Sequence, residues 1–265
     1  MSRRRAPWIL LIPGLLAIAF LVLPVVGLIT QAPWGSFGTL LSDPVTRDAL
    51  RISALSSLCA TAICIVLGTP LAWLLARNAL PGTRIIRALV VVPLLLPPVV
   101  AGVGLLTAFG RRGFAGAFLY DHFGIQFPFT TAGVVLAETF VAMPFLIITV
   151  EAGFRGISKE YEEVAATLGA SSWQTFRLVT LPLIAPALLS GVVLCWARAV
   201  GEFGATIGFA GNFPGVTQTM PLAIYSELEV DRSLAIGLST ILLLVCLVIL
   251  VLLRRTYLRG DTSND

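Results

Sequence analysis

Arg198 and Glu202 are the only charged residues in an otherwise apolar run from Leu183 to Phe209. Standing four apart, they can share one face of a helix as an ion pair. Charges at bilayer depth are costly, so they usually face a bundle interior or a water-filled cavity. Either the pair fixes helix packing, or it leaves a controlled positive potential inside a cavity. Little else in the chain is equipped for covalent chemistry. There is no GxxxxGK[ST], so no P-loop for ATP. His122 is the one histidine and has neither a carboxylate partner nor a cysteine pair in its motif. Cys59, Cys64, Cys195 and Cys246 all fall in apolar runs, where small buried residues are a better reading than metal ligands or disulfides.

A second informative stretch is polar. From Ser158 the chain reads Lys-Glu-Tyr-Glu-Glu-Val-Ala-Ala-Thr-Leu168 and then Gly169. Ser158 is a good N-cap, and Glu160, Glu162 and Glu163 crowd the positive end of the helix dipole. Gly169 suits a left-handed C-cap. Tyr161, Val164, Ala165 and Leu168 recur at three- and four-residue spacing and make one apolar stripe. Helices that lie on lipid usually present Lys and Arg; this one is acidic, which favours a protein partner. Ser171 or Ser172 can cap a second short helix running to Pro182, where the next apolar run begins.

The elements that must position these residues are membrane spans. Hydrophobic residues make up 57% of the 265 and charged residues only 12%, against about 25% charged in an ordinary soluble domain. Mean hydropathy is +0.94. A soluble enzyme, a disordered chain and a free nucleic-acid binder are all disfavoured, despite the net charge of +4. A span needs about 20 mostly apolar residues. The runs give a first helix within 1–30 and five more at about 52–76, 88–110, 130–150, 183–209 and 233–253, with a loop at 151–182 and a short tail at 255–265. Unbroken apolar runs exclude a barrel, whose strands alternate. With the amino terminus inside, twelve Lys and Arg fall on inner segments (Arg3, Arg4, Arg5, Arg77, Arg84, Arg87, Arg155, Lys159, Arg177, Arg254, Arg255, Arg259) and five on outer ones (Arg47, Arg51, Arg111, Arg112, Arg232). That asymmetry puts both termini in the cytoplasm. The first run is expected to be a retained helix flanked by Trp8 and Trp34, because Thr30-Gln31-Ala32 makes a poor signal-cleavage site.

Within the inner loop, Glu163-Val164-Ala165, three residues, Gly169, nine residues, then Val179-Thr180-Leu181-Pro182 resembles the EAA loop of ABC importer permeases. Val164 stands for Ala and Val179 for Ile. The resemblance implies that Tyr161, Glu163, Val164, Ala165, Leu168, Gly169, Leu181 and Pro182 belong to a coupling loop whose first helix docks on a cytoplasmic ATPase. A narrower likeness covers most of the chain after the first span. Pro93-Leu-Leu-Leu-Pro97-Pro98, Ala197-Arg198-Ala-Val-Gly201-Glu202-Phe-Gly204-Ala-Thr206 and Thr217-Gln218-Thr-Met-Pro221-Leu-Ala-Ile-Tyr225 are similar to molybdate permeases of the ModB type. Sulfate permeases share the Ala-Arg-Ala-x-Gly-Glu core.

The resemblance implies an all-α integral membrane protein of six transmembrane helices, with the type I ABC importer permease fold and a multi-pass position in the cell membrane. It implies a homodimer, two ATPase subunits and an extracytoplasmic substrate-binding protein, with lipid around it and no cofactor, metal or nucleic acid. Such a subunit is not itself an enzyme. In that setting Arg198 would favour a dianion in the pathway, and Glu202 would keep it from being trapped. Glu138, alone in its span, is either protonated or hydrogen-bonded across the dimer and is assigned no role. Pro93, Pro97 and Pro98 interrupt one span, and the Gly204/Gly208 spacing permits close helix approach. The tail is too short for an added regulatory domain. A sulfate, thiosulfate or tungstate importer is the nearest alternative. An ion-gradient-driven transporter would leave the EAA spacing unexplained, and a membrane enzyme lacks clustered catalytic groups.

Overall fold

The computed structural model describes residues 8–158 and 160–257. Of the basic residues used to orient the chain, Arg3, Arg4, Arg5, Lys159 and Arg259 lie outside the described residues, as does the tail from 258 onward. The described residues form helices and no strand: α1 (Trp8–Gln31), α2 (Phe37–Ser42), α3 (Pro44–Ala76), α4 (Thr83–Leu95), α5 (Pro98–Phe109), α6 (Phe114–Phe123), α7 (Thr131–Gly156), α8 (Glu160–Thr167), α9 (Ser172–Thr175), α10 (Leu181–Val200), α11 (Gly204–Ala210), α12 (Met220–Leu228) and α13 (Arg232–Tyr257). Five helices are long and apolar enough to cross a membrane, and α4 with α5 makes a sixth crossing if the bent pair is one span.

Local chemistry sets the ends. Asp43 caps α3, its Oδ2 accepting from Thr46 N at 2.9 Å and from Thr46 Oγ1 at 3.0 Å, with Pro44 at the first helical position. Thr130 caps α7, accepting from Gly133 N at 3.1 Å. The span expected at 88–110 is broken, as its prolines imply, but at 96–97, with Pro93 kept inside α4. Pro97 and Pro98 bring no N–H, Leu96 before them is forced to an extended ψ of 131°, and the chain turns by 118° between α4 and α5.

Three further expectations are corrected. The loop placed at 151–182 is shorter, because nothing stops α7 before Gly156 and helix resumes at Ser172. No second helix ends at Pro182: one continuous helix runs Ser172–Val200 through a π-helical stretch at Phe176–Thr180. That wider turn accommodates Pro182, which cannot bond the carbonyl four residues back. The same span ends at Val200 rather than 209, and a non-helical step at 201–203 separates α10 from α11.

Three clusters hold the bundle. Small residues let α3, α7 and α10 approach closely: Ala60, Cys64, Ala72, Ala142, Cys195 and Ala199 surround Leu75, Leu146, Ile147 and Phe154. Ala101 and Leu105 of α5, Ala137 and Val141 of α7, and Ala205 and Phe209 of α11 make the second. Ala49, Met220, Ala223, Leu238 and Ile241 make the third, joining α3, α12 and α13. α1 packs on α13 and buries no residue.

The α5–α11 contact is backbone against backbone. A Cβ added at Gly204 would lie 2.3 Å from Pro98 Cβ, and one at Gly102 would lie 3.1 Å from Gly208 Cα. Gly204→Ala is therefore expected to lower the stability of the detergent-solubilised protein by roughly 1–3 kcal/mol, as overpacking does. Gly104→Ala, whose Cβ would meet nothing within 4 Å, is expected to leave it unchanged or slightly raised. An SDS-titration unfolding measurement checks both.

Candidate functional site

The ion pair expected from the Arg198/Glu202 spacing forms, with Arg198 Nη2 2.5 Å from Glu202 Oε2. It does not lie along one helix. Arg198 is in the last turn of α10, and Glu202 is in the non-helical step that follows. The other carboxylate oxygen, Oε1, accepts from Ala205 N at 2.7 Å, which satisfies a first-turn donor of α11. Glu202 is thus held from both sides and is 1% exposed, whereas the Arg198 side chain keeps 28% of its surface open. The carboxylate joins two helix ends, and the cation beside it stays partly exposed.

Glu138 has a partner within its own chain. Ser56 Oγ on α3 donates to Glu138 Oε1 at 2.8 Å, across 82 residues of sequence. One helical turn earlier Ser53 Oγ accepts from Met220 N at 2.7 Å. Ser53, Ser56, Glu138, Glu202, Thr206, Thr217, Gln218 and Thr219 are all buried, a set of polar groups inside the apolar bundle. Cys64 and Cys195 sit in the first core cluster as free thiols, with Cys64 Sγ 3.7 Å from Thr139 O.

At one end of the bundle lies α8, and the chemistry read from its sequence is visible in its geometry. Ser158 Oγ accepts from Glu160 N at 3.3 Å. Gly169 takes a φ of +84°, and its N–H bonds Ala166 O at 3.0 Å while Ala170 N bonds Ala165 O at 3.0 Å; this is a Schellman closure. Ser171 then caps α9 with a reciprocal pair, Gln174 N to Ser171 Oγ and Ser171 N to Gln174 Oε1. The apolar stripe is split by burial. Tyr161, Val164 and Leu168 are 56%, 58% and 83% exposed, and only Ala165 is buried against the protein. Glu163 is exposed beside them, Leu181 packs on the first core cluster and Pro182 is exposed. Tyr161 and Val164 on this short acidic helix and Leu168 just after it make an uncovered apolar surface.

Two ion-pair groups lie at this end, and their long-range partners are beyond the reach of spacing rules. Arg77, the C-cap of α3, pairs with Glu162 of α8, 85 residues away. Glu151 Oε1 takes Arg87 Nε at 2.7 Å and Arg155 Nη2 at 2.7 Å, while Arg87 Nη2 donates to Leu75 O at 2.6 Å. The second group ties α4 and α7 to the end of α3. Only the clustering of basic residues near span ends signalled them.

This arrangement matches known membrane transport subunits. The chain is 43% identical to the molybdenum transport system permease protein ModB of Mycobacterium tuberculosis, over 96% of each chain. It is 42% identical to the ModB permease of Escherichia coli, over 72% of this chain and 82% of that one. The sulfate transport system permease protein CysT of Escherichia coli is 36% identical, over 94% and 92%. Among solved structures, a bacterial alginate ABC transporter, crystallised with its alginate pentasaccharide-bound periplasmic protein, shares the fold with a TM-score of 0.73 at 20% identity, over 97% of this chain and 95% of that one. The family described as binding-protein-dependent transport system inner membrane component matches residues 65–259, which hold the α4–α5 elbow, Glu138, α8 and the Arg198–Glu202 pair, and the chain belongs to that family.

Proposed function

We propose that this chain, as a homodimer, forms the membrane pathway of an ABC importer for molybdate. Two ATPase subunits bind on the α8 side, taken as cytoplasmic, and a substrate-binding protein docks on the opposite face. The observation that carries the reading is the exposed Tyr161, Val164 and Leu168 face of α8, set above a left-handed Gly169, in a chain whose relatives at 42–43% identity are named molybdenum transport permeases. ATP binding draws the two ATPases together, carries the paired α8 helices inward and opens the pathway outward. Hydrolysis and release reverse the movement, and no covalent chemistry takes place in this subunit.

Molybdate is a dianion, and an importer must bind it weakly enough to let it go. Arg198 supplies positive potential in a low-dielectric region, and Glu202 offsets most of it, so the pathway attracts the ion without holding it. Selectivity then rests largely with the binding protein. The sulfate permease at 36% identity supports a second cargo reading, which uptake separates. Labelled molybdate uptake in cells with the gene is expected to exceed uptake without it and to persist under excess sulfate. Uptake abolished by sulfate would move the cargo to a broader oxyanion class.

Two variants test the site. A Cβ added at Gly169 would meet no heavy atom within 4 Å, so Gly169→Glu mainly strains the left-handed turn, by roughly 1–2 kcal/mol. It is expected to lose the ATPase on co-purification while the membrane bundle melts as before. Arg198→Ala leaves Glu202 buried and unpaired and is expected to destabilise by roughly 3–5 kcal/mol. Arg198→Met with Glu202→Gln keeps the volume and an acceptor for Ala205 N. That double variant is expected to recover most of the stability yet transport at least about tenfold below wild type; transport that returns with the fold would assign the pair to packing alone.

A further inference from the structure

Glu162 lies just outside the run that carries the family likeness, and it turns the other way. The outward side of α8 holds Tyr161, Val164 and Leu168, whereas Glu162 and Ala165, one turn apart, look back onto the bundle. There Glu162 Oε1 pairs with Arg77 Nη2 and accepts from Thr180 Oγ1 at 3.3 Å. Arg77 closes α3, and its side chain is only 12% exposed. Thr180 is buried at the end of the π-helical stretch that leads into α10, a kind of irregularity that recurs at functional sites. One carboxylate therefore ties α8 to the ends of two helices of the main core.

The polar contacts carry this joint. α8 packs on the 172–180 segment but reaches α3 through the arginine side chain. Beside the ion pair lies a cavity of about 240 Å³ lined by Trp73, Glu162, Ala166, Thr175, Phe176 and Thr180, so close packing does not back the contact. α3 then runs 33 residues without a break, past Ser56 and Ser53, to Asp43. α3, with Pro70 inside its last two turns, thus links Arg77 to the buried polar groups around Glu138.

We propose that the Arg77–Glu162 pair is the strut through which movement of α8 is delivered to α3, a positioning pair distinct from the residues that meet the ATPase. It rests on the reading of α8 as the ATPase-docking helix and names how that helix grips the membrane domain. The test is the full transporter in proteoliposomes, with labelled molybdate carried per ATP hydrolysed as the readout. Glu162→Gln and Arg77→Gln are expected to keep the ATPase on co-purification while transport per ATP falls about tenfold, a typical size for a broken coupling. The exchanged pair, Arg77→Glu with Glu162→Arg, and the charge-keeping Arg77→Lys are expected to return to within about threefold of wild type, because the paired charge is what matters. Neutral variants that couple normally overturn the proposal. So does an exchanged or Arg77→Lys protein that folds, by its detergent melting curve, but stays as uncoupled as the neutral ones. A wild-type chain that never retains the ATPase sinks the parent reading instead.

Discussion

Hydrocarbon offers no hydrogen-bond partner, so any interruption of a membrane helix has to be satisfied by the protein itself. This chain contains two interruptions, at 96–97 and at 201–203, and it sets the helices that follow them against each other. α5 and α11 meet through Gly102, Gly208, Gly204 and Pro98, and a Cβ at Gly204 or Gly102 would crowd the facing helix. The step before α11 exposes first-turn amides, and the Glu202 carboxylate takes one of them. A carboxylate at a helix start is electrostatically suited to that place. Once it is buried there, though, it needs a counter-charge, and Arg198 one turn back supplies it. The ion pair, the glycines and the broken spans are therefore one solution to one constraint.

The rest of the bundle is arranged so that this irregular region is enclosed. α7 is the hub: its Ala142, Leu146 and Val150 side packs on α3 and α10, and its Ala137 and Val141 side packs on α5 and α11. Small residues dominate these contacts because lipid tails compete equally for large apolar groups, so helices gain mainly from close approach. α3 contributes both to this core and, through Ala49, to the cluster with α12 and α13. It runs from the α8 end to the polar groups at Ser53 and Ser56.

Much of this was legible in the sequence, and what was missed has physical causes. The presence of five or six spans follows from apolar length, and the Gly169 turn from the need for a positive φ. Pro97 and Pro98 announced an interruption, but not a 118° turn, since the direction after a break is chosen by the α5–α11 contact. Pro182 was misread as a boundary because proline usually is one; the π-helical stretch before it widens the ladder and lets the helix continue. Arg77 with Glu162, Arg87 with Glu151 and Ser56 with Glu138 lie 64 to 85 residues apart. Spacing rules work within one helix, so pairs of this kind become visible only when the fold brings them together.

The two kinds of charge in this molecule carry different loads, and their surroundings account for the difference. At the α8 end, Glu162 keeps 28% of its side chain open, so solvent screening is partial and its pair with Arg77 can shift without leaving a bare carboxylate. That pair suits a joint that moves. Glu202 is almost fully enclosed, so displacing Arg198 from it would leave a bare carboxylate in low dielectric. That pair suits a fixed corner. A transporter needs both, a rigid turn that keeps its pathway shaped and a compliant joint that passes motion to it. The burial of each carboxylate, 1% exposed for Glu202 against 28% for Glu162, separates the corner from the joint.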